Sequence, residues 1–490
     1  MKSILLAAVI VLPFLAGALL TLFRFGEKRS ARCAYVAVVT VLEFIGVLLL
    51  CIGEPAELFL GAITDQITIR FRVDGISRIF TLVCAGLWVP VAFYSFTYMK
   101  HEGAEDRFYT FFLLSEGALI GMDFSANLVC MYVLYEMMTL AALPLILHSL
   151  KKEAIDAAMK YLFYSIAGAF MALMAILVLS RYCATLDFQA GGSLAAGVFA
   201  EHKNLILVTV FLACLGLGAK AGMYPLHGWL PAAHPVAPAP ASAVLSAVIA
   251  KAGVLGIVRI LYFVVGPETL RGSWVQYALL SLAMLTVFMG SMMAFREKVF
   301  KKRLAYSTVS QISYVLIGVF LLTGEGLLGG LLHVIFHATI KTCLFLVAGS
   351  VIYNTGFTRV DEVKGLGKRM PITFWGYTLA SLALIGIPPA SGFVSKWYLA
   401  TASLASGTGV VTWLAPVILL ISALLTAGYL LPLTIDGFFP GKDYDYKQEK
   451  IEKSAWMWLP IAILSALTLL MGICSGGLVE ALSALTGSLV

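Results

Sequence analysis

Apolar runs of about 20 residues recur from one end of this 490-residue sequence to the other and leave no stretch for a soluble domain. A helix needs that length to cross the hydrocarbon core, and in lipid a helix satisfies its own backbone hydrogen bonds. Composition agrees: 60% of residues are hydrophobic and 12% charged, against about 25% charged in soluble domains. The expected fold is an all-α polytopic membrane protein with about fourteen transmembrane helices. They fall near residues 3–23, 33–52, 76–98, 108–123, 127–148, 155–180, 204–224, 241–265, 274–295, 304–322, 327–352, 372–402, 411–438 and 456–475. Residues 1–23 share a charged start with signal peptides, but the run is long enough to span and no small-residue cleavage site leads into a soluble region, so it is read as the first helix.

Charge placement orients these spans. Basic residues gather after the first, third, fifth, ninth, eleventh and thirteenth: Arg24 to Arg32, Lys100 and Arg107, Lys151 to Lys160, Arg296 to Arg303, Arg359 to Arg369, and Lys442 to Lys453. Twenty-two lie on that side against six on the other, which predicts a cytoplasmic side and places both termini outside a cell (inner) membrane. The net charge of +7 is therefore a topology signal, and no nucleic-acid partner is expected. Eight scattered cysteines without a CxxC read as small core hydrophobes and not as disulfides or metal ligands.

Six basic residues remain inside or at the edge of spans: Arg78, Lys220, Lys251, Arg259, Lys341 and Lys396, joined by Glu43, Glu116, Glu136 and several histidines. Each central charge costs about 2.5–3.5 kcal/mol on the lenient insertion scale. For Arg78, Arg259 and Glu43, ion-pair glue or snorkelling is the favoured account. Proline interrupts the pattern twice, in KAGMYPLHGWLPAAHPVAPAPASAV (220–244) and in ALIGIPPASGFVSKWYLA (383–400). The breaks lie five helices apart, each beside a lysine. This predicts two inverted five-helix repeats, each with a broken helix, around a site at mid-membrane. The chain then divides into peripheral helices 1–3 (1–105), a first repeat (106–270), a second (271–440) and helix 14 (441–490).

The segment from Lys220 to Ile260 resembles the proton-conducting antiporter-like subunits shared by respiratory complex I, Mrp-type cation/proton antiporters and membrane-bound hydrogenases. FRVDGIS (71–77), YEMMTLAALPLI of the fifth span, KKRLAYSTVSQISY (301–314), HVIFHATIKTCLFLVAG (333–349) and GIPPASGFVSKW (386–397) extend the resemblance along most of the chain. It implies a proton relay in which Glu136 pairs with Lys220, Lys251 is the central lysine, His333, His337 and Lys341 form the eleventh-span relay, and Lys396 belongs to the broken twelfth span. His227 and His234 are secondary members, in the path or in its supporting shell, and Trp229 is expected to pack at the interface. Glu116 lies outside the pattern, as an extension of the path to Glu136 or a partner for a neighbouring helix.

The residue types suit that chemistry. Burial disfavours a charged lysine and so lets a group that is ordinarily always protonated release its proton, which arginine cannot do. Histidine passes protons between its two nitrogens. Positions 333, 337 and 341 fall on one helical stripe. Polar packing is the alternative for the histidine pair, and metal binding lacks a third acidic or thiolate ligand. Ser307, Ser310 and Gln311 could bind relay water, with interhelical hydrogen bonding as the plainer reading.

No GxGxxG follows a strand, and no GxxxxGK[ST] and no cysteine cluster is present, so no cofactor is expected and any redox chemistry must reside in partner subunits. The function expected is an ion-translocating subunit, moving protons with or without sodium, in an assembly with other multi-span subunits. An Mrp-type D-like subunit or its hydrogenase counterpart leads, ahead of a complex I subunit or a self-sufficient secondary transporter. A di-haem oxidoreductase would need histidines paired across facing helices.

Overall fold

The computed structural model describes residues 2–23, 28–64, 67–441, 444–445 and 449–490; Arg24, Lys442 and Lys447 of the basic loops lie outside them. Helices α1 (Lys2–Phe23) and α2 (Arg29–Ile52) are followed by an antiparallel hairpin, β1 (Glu57–Thr64) and β2 (Ile67–Arg72). The sequence reading placed no strand here. The segment ITIRFR alternates with period two, a signal too short to register beside runs of helix length. Helix α3 (Gly75–Glu102) begins at a reciprocal cap, in which Asp74 accepts from the Ser77 amide at 2.8 Å and Ser77 Oγ accepts from the Asp74 amide at 2.7 Å. Then come α4 (Glu105–Phe124), α5 (Leu128–Ile146), α6 (Lys152–Tyr182), the single turn α7 (Val198–Glu201) and α8 (Lys203–Ala221).

The proline-rich stretch folds as a turn and two short helices, α9 (Leu230–Val236) and α10 (Ala239–Val244). Two wide π turns, 245–249 and 259–265, flank α11 (Lys251–Val258), and α12 (Pro267–Leu270) closes this half. The other half holds α13 (Trp274–Arg296), α14 (Phe300–Phe320), α15 (Gly324–Thr355), α16 (Leu366–Arg369), α17 (Pro371–Ile385), α18 (Ser391–Ala405) and α19 (Val411–Phe438). Helix α20 (Ala455–Ile473) follows, and α21 (Ser475–Gly487) is a helix the sequence reading omitted.

Eleven helical stretches among the described residues are long and apolar enough to cross a membrane. Helices α4 and α14 have 20 and 21 residues but are more polar, and α17 with α18 makes one interrupted crossing. The outer helices turn large apolar side chains such as Phe163, Phe170, Leu420 and Leu424 outward, as lipid contact requires. By contrast, the stretch 239–265 is wholly buried, and α15 nearly so. These two central stretches carry five of the eleven buried basic side chains among the described residues: Lys251, Arg259, His333, His337 and Lys341.

Contacts gather the loops at two ends. At one, Arg32 pairs with Asp106 at 2.7 Å, Arg107 donates to the His148 carbonyl, Thr97 meets Ser454 at 2.9 Å, and the Gly365 amide donates to Asp436. At the other, Arg70 pairs with Asp187 at 3.0 Å, the Gln189 amide donates to Phe263, and Arg271 donates to Leu322. Arg32 and Arg107, from two of the basic loops, lie at the first end.

Candidate functional site

Each helix break is made by a glycine. Helix α8 stops where Gly222 turns left-handed at φ 79°, and the Met223 amide reaches back to Gly218 at 2.8 Å. Helix α17 stops the same way at Gly386, φ 93°, with Ile387 reaching back to Leu382 at 3.1 Å. A residue with a Cβ is disfavoured in that conformation, so the two glycines fix where the helices end. The predicted span 204–224 therefore ends at Ala221, and 372–402 is divided over 386–390.

Lys220 sits in the last turn of α8, fully buried. Its Nζ donates to Thr139 Oγ1 at 2.9 Å, Tyr161 OH at 2.9 Å and Ser165 Oγ at 3.1 Å. An ammonium has three N–H donors, so this cage satisfies it completely. The aromatic faces of Tyr161 and Tyr135 lie 4.4 and 5.4 Å from Nζ. The reach is possible because α6 and α8 nearly touch: a Cβ built on Gly168 would lie 2.3 Å from the Gly216 carbonyl. Trp229, expected at the interface, is instead fully buried and donates from Nε1 to Ala219 at 2.8 Å. It covers the end of α8.

Glu136 does not touch the lysine. No ion pair within 4.0 Å joins them among the described residues, and Glu136 Oε1 has no hydrogen-bond partner. The direct pair expected from the resemblance is replaced by neutral hydroxyls. Glu136 remains near enough to act on Lys220 electrostatically, from the half-buried margin of α5.

Lys251 uses its own helix. In the wide turn the Ala250 amide bonds to Leu245 and not to Ser246, which frees the Ser246 carbonyl to accept from Lys251 Nζ at 3.1 Å. Ser246 Oγ also meets Thr308 at 2.7 Å.

The second break holds Lys396, whose Nζ caps the end of α17 through the Leu384 and Ile385 carbonyls at 2.6 and 2.9 Å. Its ammonium lies 5.1 Å from the Tyr314 ring centre, Tyr314 stacks on His333 at 5.4 Å, and His333 stacks on His337 at 5.7 Å. His333 is pinned by Ser395 Oγ at 2.9 Å and Gln311 Oε1 at 3.1 Å. Both ring nitrogens of His337 lack a partner, while Lys251, Lys341 and Lys396 all lie within its electrostatic reach. The structure thus lines up His337, His333 and, through Tyr314, the partly buried Lys396, with Lys251 within electrostatic reach of His337.

Lys341 branches from that line toward the Leu304 carbonyl, 2.9 Å away. His234 is fully buried, stacked on Phe345 at 4.6 Å and unpartnered at both nitrogens. His227 is half-buried in the turn after Gly222, against Tyr224. Ser307 and Ser310 make interhelical bonds, to Tyr429 at 2.7 Å and Ser291 at 2.8 Å. The sequence reading missed Thr139, Tyr161, Ser165, Tyr314 and Ser395, and also Lys301, a buried ammonium on the Ala237 carbonyl at 2.6 Å. Tyr161 and Ser165, one turn apart on α6, were the available clue. Arg259 pairs with Asp74 at 2.7 Å and Arg78 donates to Gly53 at 2.8 Å, so both are glue.

A polytopic bundle whose broken helices each hold a lysine, with buried lysines and histidines between them, is an ion-translocating membrane protein. The chain belongs to the NADH:quinone oxidoreductase/Mrp antiporter transmembrane family, whose model matches residues 125–426; a model for the N-terminus of complex I chain 5 matches 62–109. It is 32% identical over 425 residues to NADH-quinone oxidoreductase subunit N of Desulforudis audaxviator, covering 81% of this chain and 82% of that one. It is 35% identical over 346 residues to hydrogenase-4 component B of Escherichia coli, covering 67% of this chain and half of that longer one. Among solved structures, a chain of an archaeal membrane-bound sulfane sulfur reductase superposes with a TM-score of 0.89 at 26% identity, over 99% of this chain and 97% of that one.

Proposed function

We propose that this chain carries protons across a cell (inner) membrane as one subunit of a complex, with Glu136 at the inlet and Lys220, Lys251, His337, His333 and Lys396 as successive carriers. Lys341 serves as a side branch, and His234 and His227 flank the path. The observation that supports this most is the unbroken line from Lys396 through Tyr314 and His333 to His337, with ring and ammonium separations of 5.1, 5.4 and 5.7 Å. Fourteen spans, both termini outside, and two inverted repeats over 106–270 and 271–440 complete the reading. The matching glycine caps at Gly222 and Gly386 support the repeat.

The complex is one whose other multi-span and redox-active subunits supply the driving force. Relatives at 32% and 35% identity are both subunits of oxidoreductases by name, which favours redox drive. An Mrp-type antiporter, moving sodium against protons, is the second reading, favoured by the family model's own description. Gentle extraction followed by identification of co-purifying subunits separates the two. His333→Phe keeps the ring stack but removes the proton carrier; the purified complex in liposomes is expected to assemble and to lose proton translocation. Near-normal translocation by that variant would overturn the relay.

A further inference from the structure

The relay leaves unexplained a second set of buried ionisable groups, in the N-terminal layer. Glu43 on α2 and Glu116 on α4 are both 0% exposed, and none of their four carboxyl oxygens has a hydrogen-bond partner. Helix α1 seals one side: Pro13 and Phe14 pack against Gly117, where an added Cβ would lie 3.1 Å from Phe14. Helix α3 closes the other side with Cys84 and Trp88, both fully buried. Cys84 lies within electrostatic reach of Glu43, Glu116 and Asp123, and Glu43 acts in turn on Glu116.

Nearby cations are engaged elsewhere. Arg32 pairs with Glu105 and Asp106, Arg78 donates to Gly53, and Arg259 pairs with Asp74 while also acting on Asp123. No ion pair among the described residues includes Glu43 or Glu116. Two carboxylates in an apolar bundle without a counter-charge cannot both stay ionised, so the site must take up a positive charge from outside the chain.

Among the described residues no three His, Cys, Asp or Glu side chains are grouped to hold a metal ion, which points to a proton, and one further orphan lies in the same layer. Trp88 Nε1 is fully buried without a partner, and its ring packs on Phe112, 4.9 Å away and one turn from Glu116. An indole N–H is donor only: it can serve a carboxyl oxygen but not ligate a metal cation. We propose that Glu43 and Glu116 form a proton-binding site off the lysine–histidine line, each carboxylate taking up a proton to become a neutral acid, in a layer where Trp88 Nε1 is also an unpartnered donor. Release of one proton leaves a single anion, and the pair then loads and unloads as a unit.

The test is infrared difference spectroscopy on the full chain in its native complex at neutral pH, in H2O and D2O. The proposal expects carboxylic-acid C=O bands that shift in D2O, one lost in Glu43→Gln and another in Glu116→Gln, unchanged when potassium replaces sodium. Finding only ionised carboxylate absorption from these residues would overturn it. Loss of the acid bands on adding sodium would do so as well, making this a metal-cation site. Should either amide variant fail to assemble, Glu43→Asp and Glu116→Asp keep the acid and must move the corresponding band.

Discussion

Lys220→Arg tests whether the first break moves protons or only holds helices together. The cage offers three hydroxyl acceptors at 2.9, 2.9 and 3.1 Å to three ammonium N–H groups. If the lysine gives up its proton, one hydroxyl can rotate and donate to the freed lone pair, because Thr, Tyr and Ser hydroxyls both donate and accept. Arginine keeps the positive charge but brings five N–H groups and a larger head, and the added bulk costs about 1–3 kcal/mol in a packed site. With a pKa above 12, its neutral fraction at pH 7 is about 10⁻⁵ or less, so a step that passes through the neutral side chain slows by orders of magnitude. The assay is dye-reported proton uptake by liposomes carrying the purified complex, alongside subunit composition and thermal stability in detergent. The variant is expected to co-purify with its partners, melt somewhat lower and translocate only at background. An assembled Lys220→Arg complex that pumps near normally would refute the deprotonation step and leave Lys220 as structural glue.

Gly392→Ala should lower the thermal stability of the complex by about 1–3 kcal/mol, because the new Cβ would lie 1.9 Å from the Ala383 carbonyl and must push α18 off α17. Glu297, in the loop between α13 and α14, is penalised by burial yet held below its ordinary carboxylate range by the Val299 and Lys298 amides and by Lys302. A depressed carboxyl contributes stability that is complete above its unfolded pKa and lost as pH falls through the folded value. Protection of residues 296–303 against hydrogen exchange, corrected for the intrinsic pH dependence of amide exchange, is therefore expected to fall under acid, and Glu297→Gln to abolish that fall. In a background cleared of the eight native cysteines, Lys302→Cys should label from the cytoplasmic side and Gly407→Cys from the outside. Labelling of both from one side would break the fourteen-span topology.

The spans were legible because membrane crossing needs about 20 apolar residues in a row, a signal few other constraints can mimic. The charged residues within them were equally visible, and the glue reading of Arg78 and Arg259 holds in their contacts with Gly53 and Asp74. It fails for Glu43, which has no partner. Other features are made by tertiary contact and leave little local trace. Thr139, Tyr161 and Ser165 look like ordinary span residues until Gly168 and Gly216 bring α6 and α8 together. The wide turn that frees the Ser246 carbonyl has no composition of its own. For Glu136 and Lys220, the resemblance implied contact, but hydroxyls from α5 and α6 fill the space at Nζ.

The three groups around Lys220 Nζ are all uncharged, and this governs how far a proton there can be felt. A carboxylate among them would leave the protonated cage near neutral; with hydroxyls alone, the protonated cage carries a net elementary charge. At an effective dielectric of about 20, the field of that charge amounts to about 1.7 kcal/mol on a unit charge about 10 Å away, more than a tenfold bias in its occupancy. The helix carrying Lys251 lies close by: a Cβ on Gly253 would sit 2.3 Å from the Leu217 carbonyl and 3.2 Å from Lys220 Cβ. On the proposed relay, a proton held at one lysine then raises the cost of placing one on the next.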